Sequence, residues 1–399
     1  MKPLTPNNTY EVAAGVADAA AARTPLCITG HSSKASLGRP CEGVRRLDLS
    51  ALSGVTFYEP EELVLTTLAA TPIDDIERLL ASHGQELAFE PMSFNALYGT
   101  GAGTLGGCFM TNLSGPRRIK AGAARDHVLG VKAVSGRGEM FKAGGRVVKN
   151  VTGYDLSRGL AGSFGTLAIA TEITVKVLPR AETAVTLILT GLNPSDAIAA
   201  LCTAMGAPVD VSGAAHLPAF AAAALSFTTS ITALRLEGIA PSVAERFDRL
   251  AATLRIHGPS EPLEGEASAF LWRAIRDLTP LAGLREHAIW KVSVAPTAGP
   301  KVVDAVTRDC TAEVMFDWSG GLVWLAIEPC PDAAAPIIRK AIMENGGGHA
   351  TLVRAPDEVR SRIPVFEPQA SALAKLSRRL KREFDPYGIL EPGRMVRGI

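Results

Sequence analysis

The sequence predicts an α+β protein in two domains, and three features carry that reading. Its 399 residues exceed what one compact core usually holds. A strictly alternating segment at 167–177 runs into Pro179, which sets the end of the first domain near residue 180. Beyond it, residues 288–354 read as β-α-β-β-α-β, the ferredoxin-like order of an antiparallel sheet with helices on one face. The expected division is 1–180, 181–367, and a terminal helix and tail at 368–399.

In chain order, an alanine-rich helix is expected at 10–24 and a short buried strand at 25–29, opening into the polar loop Gly30-His31-Ser32-Ser33-Lys34. The spacing predicts a helix over 72–83, with Thr71 as N-cap, Pro72 in the first turn and Asp74 and Asp75 complementing the dipole. Its apolar stripe is Ile73, Ile76, Leu79 and Leu80, and Gly84 ends it. Residues 99–115 are nearly all small. The alternation at 167–177 predicts a half-buried strand, with Leu167, Ile169, Thr171, Ile173, Val175 and Val177 on one face.

The second domain is expected to begin with a weaker copy of the same motif. Its strands fall at 184–190 and near 209 and 234, its helices at 195–205 and 242–254. The clearer copy has strands at 288–295, 312–317, 322–328 and 349–354, helices at 298–309 and 332–344, and a turn at Ser319-Gly320-Gly321. A last helix at 368–384 aligns Leu373, Leu376, Leu380 and Phe384, and Asp385-Pro386 stops it.

Composition excludes several classes. The 41 basic and 40 acidic residues cancel, so neither nucleic acid nor an acidic membrane is expected as partner. No apolar run reaches the ~18 residues of a membrane span, and no integral membrane segment is expected. The first residues lack an apolar signal core, so no export is expected and the protein should be cytoplasmic. None of the six cysteines forms C-x-x-C, which argues for buried thiols in a reducing compartment and against an iron–sulfur cluster in this chain. The histidines show no zinc spacing, and no metal site is expected.

Chemistry is concentrated in the glycines. Gly101-Ala-Gly103-Thr-Leu-Gly106 fits the dinucleotide pattern G-x-G-x-x-G, but its context does not. Residues 91–98 make a poor strand, and Ser114-Gly115-Pro116 breaks the following helix too early for a crossover. A loop that only packs is one alternative. The better reading is a close backbone approach to a large anionic ligand, with the loop at 30–38 as a second wall. Nine basic residues between 116 and 150, including Arg117, Arg118, Lys120 and Lys149, face only Asp126 and Glu139, which suits a diphosphate or an acidic substrate.

Read together, Gly103-Thr-Leu-Gly-Gly107, Asn112-Leu-Ser-Gly-Pro-Arg117, Arg125-Asp-His, Lys149-Asn-Val-Thr-Gly-Tyr-Asp155, Gly162-Ser-Phe-Gly-Thr-Leu167 and Phe384-Asp-Pro-Tyr-Gly-Ile-Leu-Glu-Pro-Gly-Arg394 resemble the vanillyl-alcohol oxidase/p-cresol methylhydroxylase superfamily of FAD proteins. Within it, Gly30-His-Ser-Ser-Lys-Ala-Ser-Leu-Gly-Arg39 and Gly99-Thr-Gly-Ala-Gly-Thr-Leu-Gly-Gly107 resemble the FAD-binding E-type subunits of bacterial glycolate oxidase, a glycolate dehydrogenase. The resemblance implies FAD and a small 2-hydroxy acid substrate such as glycolate. It also implies a companion FAD-containing catalytic subunit, an iron–sulfur subunit that receives electrons, and peripheral placement at the inner membrane through that complex. The chain departs from its relatives at Phe164, Ala168 and Glu391, which stand where many have Glu, Gly and Asn. It also lacks the H-x-G-D-G-N-x-H of D-2-hydroxy-acid dehydrogenases; its nearest segment is Gly346-Gly-Gly-His349. Oxidation of substrate by this chain alone is therefore not expected; a self-sufficient 2-hydroxy-acid or alcohol oxidoreductase and a scaffold that has lost its flavin are the alternatives.

The resemblance assigns Gly30, Ser32, Ser33 and Lys34 to a first pyrophosphate loop, and Gly103, Thr104, Gly106 and Gly107 to a second. It places Asn112, Ser114 and Gly115 near the isoalloxazine, and Gly165, Thr166 and Ile173 on the adenosine side. His31 follows a single glycine, so a non-covalent flavin is expected, the ring serving as a loop donor. Tyr154 is a candidate to orient a hydroxyl substrate, against the alternative of a buried tyrosine with a satisfied hydroxyl. His349 is a candidate base, against that of a solvent-facing residue at a strand start, and Arg117 and Arg354 are candidate carboxylate clamps.

Overall fold

The computed structural model describes residues 2–41, 45–101, 103–147 and 154–398. The chain forms two compact units, one from residues 1–114, 122–180 and 368–399, the other from 115–121 and 181–367.

In the first unit, strand β1 (Leu26–Thr29) pairs in parallel with β2 (Arg45–Asp48). The helix Thr9–Ala21 begins at Asn8, whose side chain accepts from Glu11 N at 2.9 Å. Its buried Val12, Val16 and Ala19 pack on Leu26 and Leu47, and Ile389 and Leu390 from the chain's end join that core. A second, antiparallel sheet contains β3 (Val55–Glu59) and β4 (Val64–Leu68), while β5 (Gln85–Glu86) stands apart from it. It is completed by β6 (Val128–Ser135), β7 (Met140–Gly144) and β8 (Ala168–Lys176) in the order β3-β4-β8-β6-β7, and β9 (Leu178–Pro179) pairs with β5.

β8 corrects the half-buried strand expected from its alternation. It is central, between β4 and β6, and nearly every residue is buried. Its parity also breaks. Lys132 faces Glu172 but Ala133 faces Ala170, so Thr171 is the extra residue of a bulge. Ala168 and Ala170 before the bulge therefore share a core with Ile173 and Val175 after it, while Ile169 packs into the other core. Alternation read from sequence cannot show a residue that drops out of register.

The helix Ile73–Ala81 starts one residue later than expected, with Pro72 in the cap position and no side-chain cap. Thr71 Oγ1 instead donates toward Leu68 O at 2.7 Å and accepts from Gly54 N at 2.9 Å, tying the turn after β4.

The second unit is one sheet of eight strands. β10 (Thr183–Thr190), β11 (Gly213–Leu217), β12 (Ile231–Gly238) and β13 (Ser260–Glu264) form one half, and β14 (Ala288–Val294), β15 (Ala312–Asp317), β16 (Leu322–Ile327) and β17 (Gly348–Arg354) the other. The sheet order β13-β10-β12-β11-β15-β16-β14-β17 places each half's strands as fourth, first, third and second, mirrored across the pair His216–Phe316. The strand expected near 209 lies at 213–217. The helices Pro194–Gly206, Ala240–Leu254, Gly299–Thr307 and Ala335–Glu344 cover one face. There Leu201, Leu250, Val302 and Ile338 pack on Leu187, Leu234, Trp290, Val292 and Leu325. Trp290 satisfies its indole N–H on Ala333 O at 2.8 Å.

The final helix, Ser371–Phe384, overturns its expected stripe: Leu373, Leu376 and Leu380 are exposed. The helix is anchored through Lys381, which is buried, and Phe384, which packs on the core of the first unit.

Candidate cofactor site

The two small-residue loops of the first unit meet. A Cβ placed on Gly30 would sit 3.5 Å from Thr104 Oγ1, and one on Gly103 would sit 2.7 Å from Lys34 Nζ and 3.5 Å from Ser33 Oγ. Thr100 Oγ1 donates to Ser33 O at 3.1 Å and ties the walls together. A side chain at 103 would displace the Lys34 ammonium. Ala102 lies outside the described residues, as do Lys149, Asn150 and the rest of 148–153.

The loops hold unused donors. Among the described residues, the N–H groups of 31–34, Gly103 and Thr104 donate to no protein acceptor. Ser32 has φ 58°, which turns successive amides toward one side. Lys34 makes no ion pair among the described residues, and desolvation depresses its pKa. Open amides beside an uncompensated cation fit a diphosphate. Gly30, Ser32, Ser33, Lys34, Gly103 and Thr104 are therefore the part of the expected set that the structure brings together; His31 is exposed on the same loop.

Gly106 and Gly107 play another part. Gly106 N donates to Ala69 O at 2.7 Å, and a Cβ there would lie 2.6 Å from that oxygen. Gly107 N donates to Thr104 Oγ1 at 3.1 Å. Their amides are occupied in seating the short helix Leu105–Thr111 against residues 69–71.

The chain's end supports the same loops. Glu391 takes φ 45°, a conformation that favours Gly or Asn, at the position where many relatives carry Asn. Its Oε1 accepts from Ile28 N at 2.5 Å and its Oε2 from the Cys41 thiol at 3.5 Å. Burial raises the Glu391 pKa, and Arg394 opposes that rise. Burial also pushes the Cys41 thiol up to about 12, with Glu391 adding to it, which disfavours the reactive thiolate. A Cβ on Gly165 would meet Ile28 Cδ1 at 3.3 Å and Glu391 Cγ at 3.5 Å, and Thr166 O accepts from Lys381 Nζ at 2.7 Å. Gly165 and Thr166 thus lie beside β1 and the tail. Ile173 does not join them; it is fully buried in the core. The contacts of Glu391 with Ile28 and Cys41, and of Lys381 with Thr166, were hidden from the sequence because each joins residues hundreds of positions apart.

Asn112 closes the helix Leu105–Thr111 with φ 50°, and its Oδ1 accepts from Arg125 N at 3.0 Å. Ser114 is buried, its Oγ accepting from Ala124 N at 2.9 Å. Gly115 belongs to the second unit, where its carbonyl accepts from Trp318 Nε1 at 3.1 Å.

Tyr154 is 91% exposed, matching neither a buried tyrosine nor a side chain held over a site. The clamp candidates are occupied. Arg117 makes a two-pronged pair with Glu237 at 2.7 and 3.1 Å, and Arg354 donates to the carbonyls of Leu284 and His287. His349 is exposed at the start of β17, opposite Ser293. Partial desolvation and the cations of Lys291 and Arg118 hold its pKa below the usual histidine range, with Glu367 opposing.

Residues 4–144 match a family model described as FAD binding domain. Over 374 residues the chain is 34% identical to glycolate oxidase subunit GlcE of Escherichia coli (strain K12), covering 94% of this chain and 93% of that protein. It is 32% identical to glycolate oxidase subunit GlcD of Bacillus subtilis (strain 168) over 186 residues, 46% of this chain and 38% of that one. The fold is similar to that of 4-ethylphenol oxidase from Gulosibacter chungangensis, with TM-score 0.74 at 14% identity, covering 98% of this chain and 88% of the other.

Proposed function

Since the chain belongs to the family of the glycolate oxidase subunit GlcE and carries an FAD binding domain, we propose that it is the FAD-binding subunit of a multi-subunit dehydrogenase for glycolate or a closely related 2-hydroxy acid. The observation that carries this reading is the meeting of amides at 31–34 and 103–104 with the Lys34 ammonium, none of which has a hydrogen-bond or ion-pair partner among the described residues. When bound, FAD supplies a two-electron acceptor, chemistry that no side chain can provide. The amides and Lys34 would hold the diphosphate. Gly165, Thr166 and the Glu391 turn would flank the adenosine side.

The partners in this reading are a companion FAD-containing catalytic subunit and an iron–sulfur subunit that takes the electrons onward. Membrane association would come through them: among the described residues no helix is long and apolar enough to cross a membrane. Arg117 and Arg354 are occupied and Tyr154 is in solvent, which supports a reading in which the companion subunit supplies the base.

The test is a visible spectrum followed by anaerobic mixing. The purified chain should be yellow and release its flavin on acid precipitation. Glycolate should bleach that flavin slowly, and rapidly once the companion subunits are added, because omitting a positioned base costs about 10²–10⁴-fold. A colourless protein that takes up no added FAD would overturn the cofactor assignment. Fast, complete bleaching of the chain by itself would make it a self-sufficient dehydrogenase.

A further inference from the structure

The sheet face away from Trp290 and Val292 carries a group of charges around β14 and β17. On β14, Trp290 and Val292 point into the helix-covered core, so the alternating Lys291 and Ser293 take the opposite face. β17 runs beside it, with Thr351 across from Lys291 and His349 across from Ser293. The segment 115–121 belongs to the same unit and brings Arg118 to this face. Trp318, at the end of β15, is in contact with both cations. The Arg118 guanidinium is 4.4 Å and the Lys291 ammonium 5.1 Å from its ring centroid.

Two cations against one indole repel each other, and the fold offers Lys291 little relief. Lys291 has no hydrogen bond and no ion pair among the described residues; Trp318 is its one ring contact. The acids nearby are engaged elsewhere. Asp317 Oδ1 accepts from Trp318 N at 2.7 Å, and Glu367 Oε2 accepts from Ala350 N at 3.0 Å and approaches Arg339 at 3.8 Å. Arg118, Lys291 and Trp318 are half-buried and His349 is exposed, so a small solute can reach them. A lysine and an arginine gathered on an aromatic floor, with the lysine left unneutralised, is an arrangement that an anion stabilises.

We propose that Arg118, Lys291 and Trp318, with His349 at the rim, form a recognition site for the carboxylate of a small 2-hydroxy acid. The planar guanidinium fork suits a carboxylate, the ammonium supplies a second contact, and the indole closes one side to water. The identification of the acid rests on the functional reading above; the anion site rests on these residues alone. Burial, with Arg118 adding to it, pushes Lys291 down to about 8, and Asp317 opposes that shift. Affinity should therefore fall as the pH rises through that region, because the deprotonated amine no longer attracts the anion. His349, its pKa held down by partial desolvation and the same cations, stands at the rim and adds no charge of its own above the usual histidine range.

The experiment titrates glycolate, and separately inorganic phosphate, into the full chain while following tryptophan fluorescence and the flavin absorbance. Glycolate should change the fluorescence saturably, with Trp318→Phe removing most of the signal. Lys291→Met and Arg118→Met should each weaken glycolate by about 10-fold or more, Lys291→Arg should keep it within a few-fold, and flavin content should not change. Wild-type affinity in Lys291→Met, no saturable response in the parent protein, or phosphate binding as tightly as glycolate would overturn the site. A chain without flavin that still binds glycolate through Lys291 would instead sink the oxidoreductase reading and leave the site standing.

Discussion

Lys381 Nζ lies 2.7 Å from Asp385 Oδ2, and both side chains are closed off from solvent. The ammonium also donates to Thr166 O at 2.7 Å and Leu390 O at 2.8 Å, while the carboxylate accepts from Ile389 N and Leu390 N. Every strong polar atom of this buried pair is therefore satisfied, and together they pin the final helix to the tail. Lys381→Met strands the Asp385 carboxylate and should destabilise the protein by about 3–5 kcal/mol in urea denaturation. Leu376→Ser, on the exposed side of the same helix, should change stability by less than about 0.5 kcal/mol.

Gly103 and Gly106 sit three residues apart and should fail differently. A methyl at Gly106 meets the backbone oxygen of Ala69 at 2.6 Å, which cannot move without shifting the strand turn. Gly106→Ala should therefore lower the melting temperature. A methyl at Gly103 meets only the flexible end of Lys34, at 2.7 Å. Gly103→Ala should melt like the parent but bind FAD more weakly, measured by equilibrium dialysis of the deflavinated protein.

Lys34→Met should isolate the charge. The loop backbone is unaffected, yet the diphosphate loses a charge-assisted contact worth about 1.5–3 kcal/mol, or about 10- to 150-fold in FAD affinity. Unchanged affinity would place the diphosphate away from this loop.

His216 gives a pH test of the second unit. Fully buried beside Phe316, with one ring nitrogen 3.0 Å from Thr232 Oγ1 and the other without a hydrogen-bond partner among the described residues, it is pushed by desolvation down to about 4, the Ile231 backbone opposing. The unfolded chain takes up this proton near pH 6.5 and the folded protein does so only near 4, so stability is complete above about 6.5 and is lost as pH falls toward 4. The shift corresponds to about 3 kcal/mol. His216→Leu should remove that part of the acid sensitivity, read as the difference between parent and variant in denaturation midpoints across the window.

The loops were legible in the sequence because glycine density and an adjacent lysine are local signals. Gly103 and Lys34 lie side by side, and Gly30 beside Thr104, as two facing loops would place them. The helix and strand positions of residues 288–354 were also legible, since each element there is short and bounded by turn residues. What was hidden depends on pairing over distance. Thr171 leaves register only because β6 and β8 slip against each other. The leucines of the last helix look like a core stripe, yet Lys381, a residue ordinarily assigned to solvent, supplies the anchor. Arg118, Lys291 and Trp318 share no motif; a strand, the turn after another strand and the 115–121 segment assemble them.

The contact between Ile28 and Glu391 joins positions 363 residues apart, and Leu26 bonds on either side to Ile389 and Glu391. During synthesis at ~5–20 residues per second, β1 must wait ~20–70 s for the turn that completes its edge. Through that interval the nascent chain presents an unfinished strand beside the loop at 30–34, and the second unit is made in the meantime. A chain cut after Ile389 keeps the whole second unit but leaves the nucleotide loops without the Glu391 brace. Such a product would be soluble in part, fluorescent from its tryptophans, and without colour.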